Sequence, residues 1–239
     1  METVLFIIVQ MLANVIQAIS GFAGGPLAMP PSMQLVGVNT AKSVITLLFL
    51  FSTAVVAIQY RKHINVKILI KMLCIMAIGL LPSLWLYTKI RPTELMIIYG
   101  ILVAGIGVWK LIKPKSEGFN GVLGYVFLIV SGIMQGMFTS GGPFAVIYAS
   151  SVMHDKNEFR ATVSAVWAIL NTCMCITMLG QGMYHSYEAK LTFLSLLPVF
   201  LAILVGNQIS KRMNQSAFQR LVCVLLIVSG ALLLYNVLG

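Results

Sequence analysis

The sequence predicts an all-α polytopic membrane protein built from two homologous halves. Three observations carry that prediction. The 239-residue chain is 59% hydrophobic and 9% charged, where a soluble domain holds about 25% charged residues. Its apolar residues come in long runs, the mark of spanning helices rather than the short alternating strands of a barrel. Its second half repeats the punctuation of its first: Gly24-Gly25-Pro26 returns 117 residues later as Gly141-Gly142-Pro143, and Lys42 returns 118 later as Arg160. So few charges cannot cover a water-facing surface, which excludes a soluble enzyme, a disordered chain and a coiled coil.

A hydrocarbon core of about 30 Å takes ~20 helical residues, and this length sorts the runs in order. The first repeat, 1–112, opens on a hairpin over about 4–38. Its long first run is stopped by Gly21-Phe22-Ala23-Gly24-Gly25-Pro26, and the run after that break is too short to span. Three spanning helices follow, over about 42–60, 66–87 and 94–111, the last with Trp109 as an interface anchor. A polar linker covers 113–119. The second repeat, 120–239, runs the same way: a hairpin over about 121–153, broken at Phe138-Thr139-Ser140-Gly141-Gly142-Pro143, then helices over about 160–179, 189–209 and 218–238. Met1-Glu2-Thr3 has no basic segment ahead of the first apolar run, so no removable leader is read.

The net charge of +10 comes from 16 basic and 6 acidic residues. The basic residues sit between apolar runs, without a basic stripe or aromatic platform, so they report topology rather than nucleic acid. If each half crosses the membrane an odd number of times, one side collects 12 of them, including Arg61, Lys62, Lys113, Lys115 and Arg212. The other side collects Lys42, Lys89, Arg91 and Lys190. Even parity splits them 8 and 8. The positive-inside bias favours odd parity, hence an inverted repeat in the plasma membrane, both termini outside and the 113–119 linker in the cytoplasm.

The glycine breaks are the functional candidates. A non-helical backbone inside a bilayer survives only where protein or an aqueous cavity surrounds it. Pro26 and Pro143 suit the first turn of the following helix. Each short arm then presents unpaired N–H groups and a positive dipole end toward the membrane interior. Two such ends, one per inverted half, make an anion site. The candidate binding residues are Gly24, Gly25, Pro26, Thr139, Ser140, Gly141, Gly142 and Pro143, with Lys42 and Arg160 behind them. Lys42 and Arg160 either lean toward an anion or snorkel from a helix end. Thr139 and Ser140 either donate to the substrate or satisfy local carbonyls. Asn14, Gln17, Gln135 and Asn171 either line a cavity or bond between helices.

The absences narrow the chemistry. The six acidic residues lie at or near the ends of spans, so no midplane carboxylate offers a proton relay or cation carrier. There is no Walker A sequence and no nucleophile–base spacing, so no catalytic residue and no cofactor is expected. The three histidines are spread along loop ends and the four cysteines lie in apolar runs, so no metal is expected either. The rival classes are a carrier of a cation or amino acid, and a membrane protein without transport function. The sequence leaves the oligomeric state, the substrate and the coupling ion open.

At the Gly21–Pro26 and Gly136–Pro143 segments, with Pro30 in the first half and a basic residue at the helix after each hairpin, the chain resembles the sulfite exporter TauE/SafE family. The resemblance covers essentially the whole chain. It implies a plasma-membrane permease, an exporter of small sulfur-containing anions such as sulfite or sulfonates, with no enzymatic activity. The chain departs from the more glycine-rich family pattern at Ala23 and at Thr139-Ser140.

Overall fold

The computed structural model describes residues 1–86 and 121–238, with helical positions at 101, 104–105, 107–109 and 111–112 between them. The linker and most of the helix expected over 94–111 lie outside the described residues, as do Lys89, Arg91, Lys110, Lys113 and Lys115.

Nine α-helices fill the two long described stretches. They are α1 (Glu2–Ser20), α2 (Gly24–Val36), α3 (Val38–Gln59), α4 (Val66–Leu86), α5 (Gly121–Phe138), α6 (Gly142–Val152), α7 (Lys156–Gly180), α8 (Ser186–Arg212) and α9 (Gln215–Leu238). No strand occurs among the described residues. Among the described residues, six helices are long and apolar enough to cross a membrane: α1, α3, α4, α7, α8 and α9. α1 spans on its own, because 19 residues at 1.5 Å each cover about 28 Å. α2 and α6 are short, with 13 and 11 residues. The first arm of the first hairpin, Glu2 to Ser20, thus has the length of a crossing, and only the second arm is short.

The first helix, α1, is amphipathic in the inverted sense. On α1, Phe6, Gln10, Ala13, Asn14, Gln17 and Ala18 recur every three or four residues and are buried, while Val4, Leu5, Ile8 and Leu12 on the other face are exposed. Amides point inward and aliphatics outward, which suits a lipid surround where polar side chains hold helices together. Small residues bring backbones close. A Cβ on Gly79 of α4 would meet Ile129 O of α5 at 2.0 Å, and one on Gly132 of α5 would meet Met76 O at 2.0 Å. These two helices touch backbone to backbone.

The packing is reciprocal between the halves. α1 lies against α8 and α4 against α5, so the first hairpin helix of each half packs on a later helix of the other. α3 and α7, which occupy equivalent places, pack on one another, and α2 meets α6. The middle of the molecule is therefore made of both halves, and both hairpin breaks point into it.

α3 begins four residues earlier than the sequence suggests, at Val38 after Gly37 (φ 80°, ψ 160°). α7 begins at Lys156, four residues before Arg160. Asp155 starts it, its side chain accepting from Asn157 N at 2.9 Å and Glu158 N at 2.8 Å. Lys42 and Arg160 therefore sit in the second turns of their helices, facing inward, rather than at helix ends where they could snorkel.

Candidate functional site

The first break begins where α1 ends on Gly21, a left-handed residue (φ 85°) whose N–H bonds to Gln17 O at 2.7 Å. α5 ends the same way on Thr139 (φ 54°), with its N–H on Gln135 O at 2.9 Å. Thr139 is the one non-glycine at positive φ among the described residues. A β-branched residue in this region is held there at a penalty of about 1–2 kcal/mol, and such strain gathers at functional sites.

An amide ties each break together. Gln17 Oε1 accepts from Gly24 N at 2.9 Å while its Nε2 donates to Gly21 O at 3.1 Å. Gln135 Oε1 accepts from Gly141 N at 3.1 Å, and its Nε2 donates to Asn171 Oδ1 at 2.9 Å. A backbone N–H can only donate, so it fixes which end of Gln135 is oxygen. That in turn fixes Asn171, whose oxygen is taken and whose Nδ2 hydrogens remain.

The two tips cross at their glycines. A Cβ on Gly25 would lie 2.7 Å from Thr139 O, and one on Gly142 would lie 2.6 Å from Phe22 O. Each glycine presses on the break of the other half, and the two contacts are repeat equivalents, 117 residues apart.

A small cavity, with room for about one water molecule, lies at this crossing. Its wall is built from repeat-related pairs. Gly25 and Gly142 supply first-turn N–H groups, positions with no acceptor inside their own helix. Gln17 and Gln135 stand behind them. Phe49 on α3 and Trp167 on α7 form a further pair, while Phe22, Pro26, Thr139 and Asn171 complete the lining. No acidic and no basic residue belongs to the wall. The amide oxygens of Gln17, Gln135 and Asn171 each accept a hydrogen bond, and the first-turn N–H groups of Gly25 and Gly142 with Asn171 Nδ2 are donors at the wall.

Among the expected site residues, Gly25, Pro26, Thr139 and Gly142 are therefore in the wall. Gly24 and Gly141 are one step behind it, their N–H groups held by the glutamines. Ser140 and Pro143 are buried at the second break but do not line the cavity. Of the four intramembrane amides, Gln17, Gln135 and Asn171 line the cavity and also bond within it. Asn14 donates to Gln10 O, one turn back on its own helix.

Lys42 and Arg160 do not line the cavity either. Each reaches across to the other half and donates to a carbonyl in the last turn of a hairpin helix. Lys42 Nζ bonds to Gly136 O at 2.9 Å, and Arg160 Nε to Ala18 O. Ala18 and Gly136 are 118 residues apart, as are the two cations. Arg160 also bonds Asn207 Oδ1 and stacks its guanidinium on Tyr60, 4.6 Å from the ring centre. A cation at a helix C-terminus is favourable, so these side chains brace the breaks from behind.

The aromatic pair Phe49 and Trp167 was not legible as site-forming. The signal was present in spacing: each lies seven residues after the basic residue of its helix, two turns on and on the same face.

His63 and His154 are exposed, in line with loop ends. Among the described residues no group of histidine, cysteine or acidic side chains has a metal-holding arrangement.

Comparison with known proteins places these features in context. The model of the family described as sulfite exporter TauE/SafE matches residues 6–233. A curated relative from Comamonas testosteroni, described as "probable inner membrane transporter protein TsaS", is 25% identical over 161 residues. That alignment covers 65% of this chain and 66% of the relative, so the chain spans about two thirds of that protein's length. No solved structure matches.

Proposed function

Because the chain belongs to the sulfite exporter TauE/SafE family and is thus a multi-pass membrane transporter rather than an enzyme, we propose that it carries a small sulfur-containing anion across the plasma membrane, outward, by alternating access. The observation that supports this reading most strongly is the wall of the central cavity. Two helix N-termini meet there, the side-chain amide oxygens each accept a hydrogen bond from the protein, and no carboxylate is present. Such a surface stabilises negative charge. It holds no carboxylate to neutralise a cation or the ammonium group of an amino acid.

The halves, 1–112 and 120–239 with the 113–119 linker between them, are read as an inverted repeat. The exchanged contacts of α1 with α8 and α4 with α5, and the self-equivalent pair α3 and α7, fit a two-fold relation between halves. Odd crossing parity, which the distribution of basic residues favours, then sets that axis in the membrane plane. Gly24, Gly25, Pro26, Thr139, Ser140, Gly141, Gly142 and Pro143 form or support the tips that hold the anion, and Lys42 and Arg160 add positive potential from behind. An anion leaving a negative-inside cell gains about 2.3 kcal/mol per charge per 100 mV, which drives export without a built-in proton carrier.

Specific binding raises thermal stability by mass action. The purified protein in detergent is expected to gain several degrees in unfolding temperature with sodium sulfite or methanesulfonate, and none with choline chloride or neutral amino acids at the same ionic strength. A shift with choline or amino acids, and none with the anions, overturns the reading. Orientation has a separate test. With Cys74 and Cys173 replaced by serine, a Ser116→Cys variant is expected to resist an impermeant maleimide added to intact cells and to react after permeabilisation. Labelling from outside reverses the assigned topology.

A further inference from the structure

The anion reading above leaves open where in the cavity the charge sits, and the hydrogen bonds that are missing answer this. We propose that Trp167 and Asn171 form the specificity face of the site and seat the anion off-centre, against α7 of the second half.

Trp167 is 4% exposed, belongs to the cavity wall, and its Nε1 has no acceptor. An indole N–H is a donor and nothing else. A buried donor without an acceptor is unfavourable, and an occupant with acceptor lone pairs removes that penalty. Asn171 follows four residues later, on the same face of the helix. Gln135 occupies its oxygen at 2.9 Å, so its amide hydrogens remain for the occupant. Thr139 also lines the wall, but its hydroxyl faces α3, 3.4 Å from that of Thr46, whose own hydrogen goes to Lys42 O at 2.7 Å.

The first half has no counterpart to this face. The residues 118 positions before Trp167 and Asn171 are Phe49 and Thr53. A phenyl ring donates no hydrogen bond, and Thr53 Oγ1 turns back to Phe49 O at 2.6 Å. The repeat therefore duplicates the tips but not the side-chain donors. At this pair of positions the second half brings side-chain donors to the wall and the first half brings a phenyl ring. A ligand matched to this wall carries several acceptor oxygens at one end, which favours an oxyanion over a halide of the same charge.

The chain has three tryptophans, so a Trp85→Phe/Trp109→Phe protein reports on Trp167 alone. Titration with sodium sulfite and with sodium methanesulfonate is expected to shift its emission saturably, with sodium chloride at equal ionic strength giving no saturable change. Trp167→Phe and Asn171→Leu are each expected to weaken binding of both oxyanions at least tenfold, the first with an unfolding temperature close to the parent and the second with a lowered one, because it strips Gln135 Nε2 of its oxygen acceptor. Emission that ignores an oxyanion the wild-type protein transports overturns the assignment, and so does Trp167→Phe binding within twofold of the parent. In either case the anion reading itself stands. Wild-type protein that neither binds nor transports these oxyanions overturns both. If Trp167→Phe fails to fold, the emission titration decides.

Discussion

Alanine at Gly25 or at Gly142 is expected to reduce transport more than tenfold, while alanine at Gly180 leaves it at the parental level. The contrast follows from what a single methyl group meets. At Gly25 it would lie 2.7 Å from Thr139 O and at Gly142 2.6 Å from Phe22 O, both backbone atoms that cannot rotate aside. At Gly180, in the last turn of α7, nothing lies within 4 Å. Overpacking of this kind typically costs about 1–3 kcal/mol. Here relief comes only by separating the two breaks, which moves the first-turn N–H groups of both halves away from the cavity. Stability and transport therefore fall together at Gly25 and Gly142. Initial flux into proteoliposomes, with circular dichroism melts on the same preparations, checks this. Parental flux in both alanine variants would show that the crossing of the tips is not where the substrate passes.

The second large effect is expected at Arg160. It is 1% exposed, and it engages Ala18 O, Asn207 Oδ1 and the face of Tyr60, none of them a carboxylate. Arg160→Leu removes the donor from a carbonyl and an amide oxygen at once. Each buried orphan costs about 1–3 kcal/mol, so the loss for two is about 2–6 kcal/mol, a large part of the stability of a typical domain. Arg160→Lys is expected to recover part of it, because an ammonium can reach one acceptor but lacks the planar fork. Lys42→Leu strips Gly136 O of its donor and is expected to be milder. The measurement is the unfolding temperature in detergent, set beside oxyanion affinity. Unchanged stability with lost affinity would assign Arg160 to direct contact with the substrate instead of a brace.

These two expectations also show what was legible in the sequence. The breaks were, because glycine and proline are read from backbone rules that hold before tertiary contacts form. Their pairing was too, because a duplicated chain repeats its punctuation. The position of the cations relative to the substrate was not. Lys42 and Arg160 read as residues opening a helix because polar residues that precede them, such as Asn39 and Thr40 or Asn157 and Glu158, look like loop. Once Asp155 caps α7 and Gly37 precedes α3, both cations fall in the second turn and point to the other half. Their partners are backbone carbonyls, which carry no sequence signature. The same holds for Thr139. Its left-handed backbone is set by the break it closes, where the first half has Gly21, and a threonine there does not announce a positive φ. Gln17 and Gln135 were visible as polar residues in apolar runs, but choosing between lining and bonding required their geometry, and they do both.

Flux of radiolabelled sulfite in proteoliposomes under an imposed potential tests the central claim most directly. The expected result is saturable anion flux down the electrical gradient, reversed when the potential is reversed, inhibited by methanesulfonate and abolished in Gly25→Ala and Gly142→Ala. Absence of sulfite and sulfonate flux, with saturable transport of a cation or an amino acid by the same vesicles, would contradict the account.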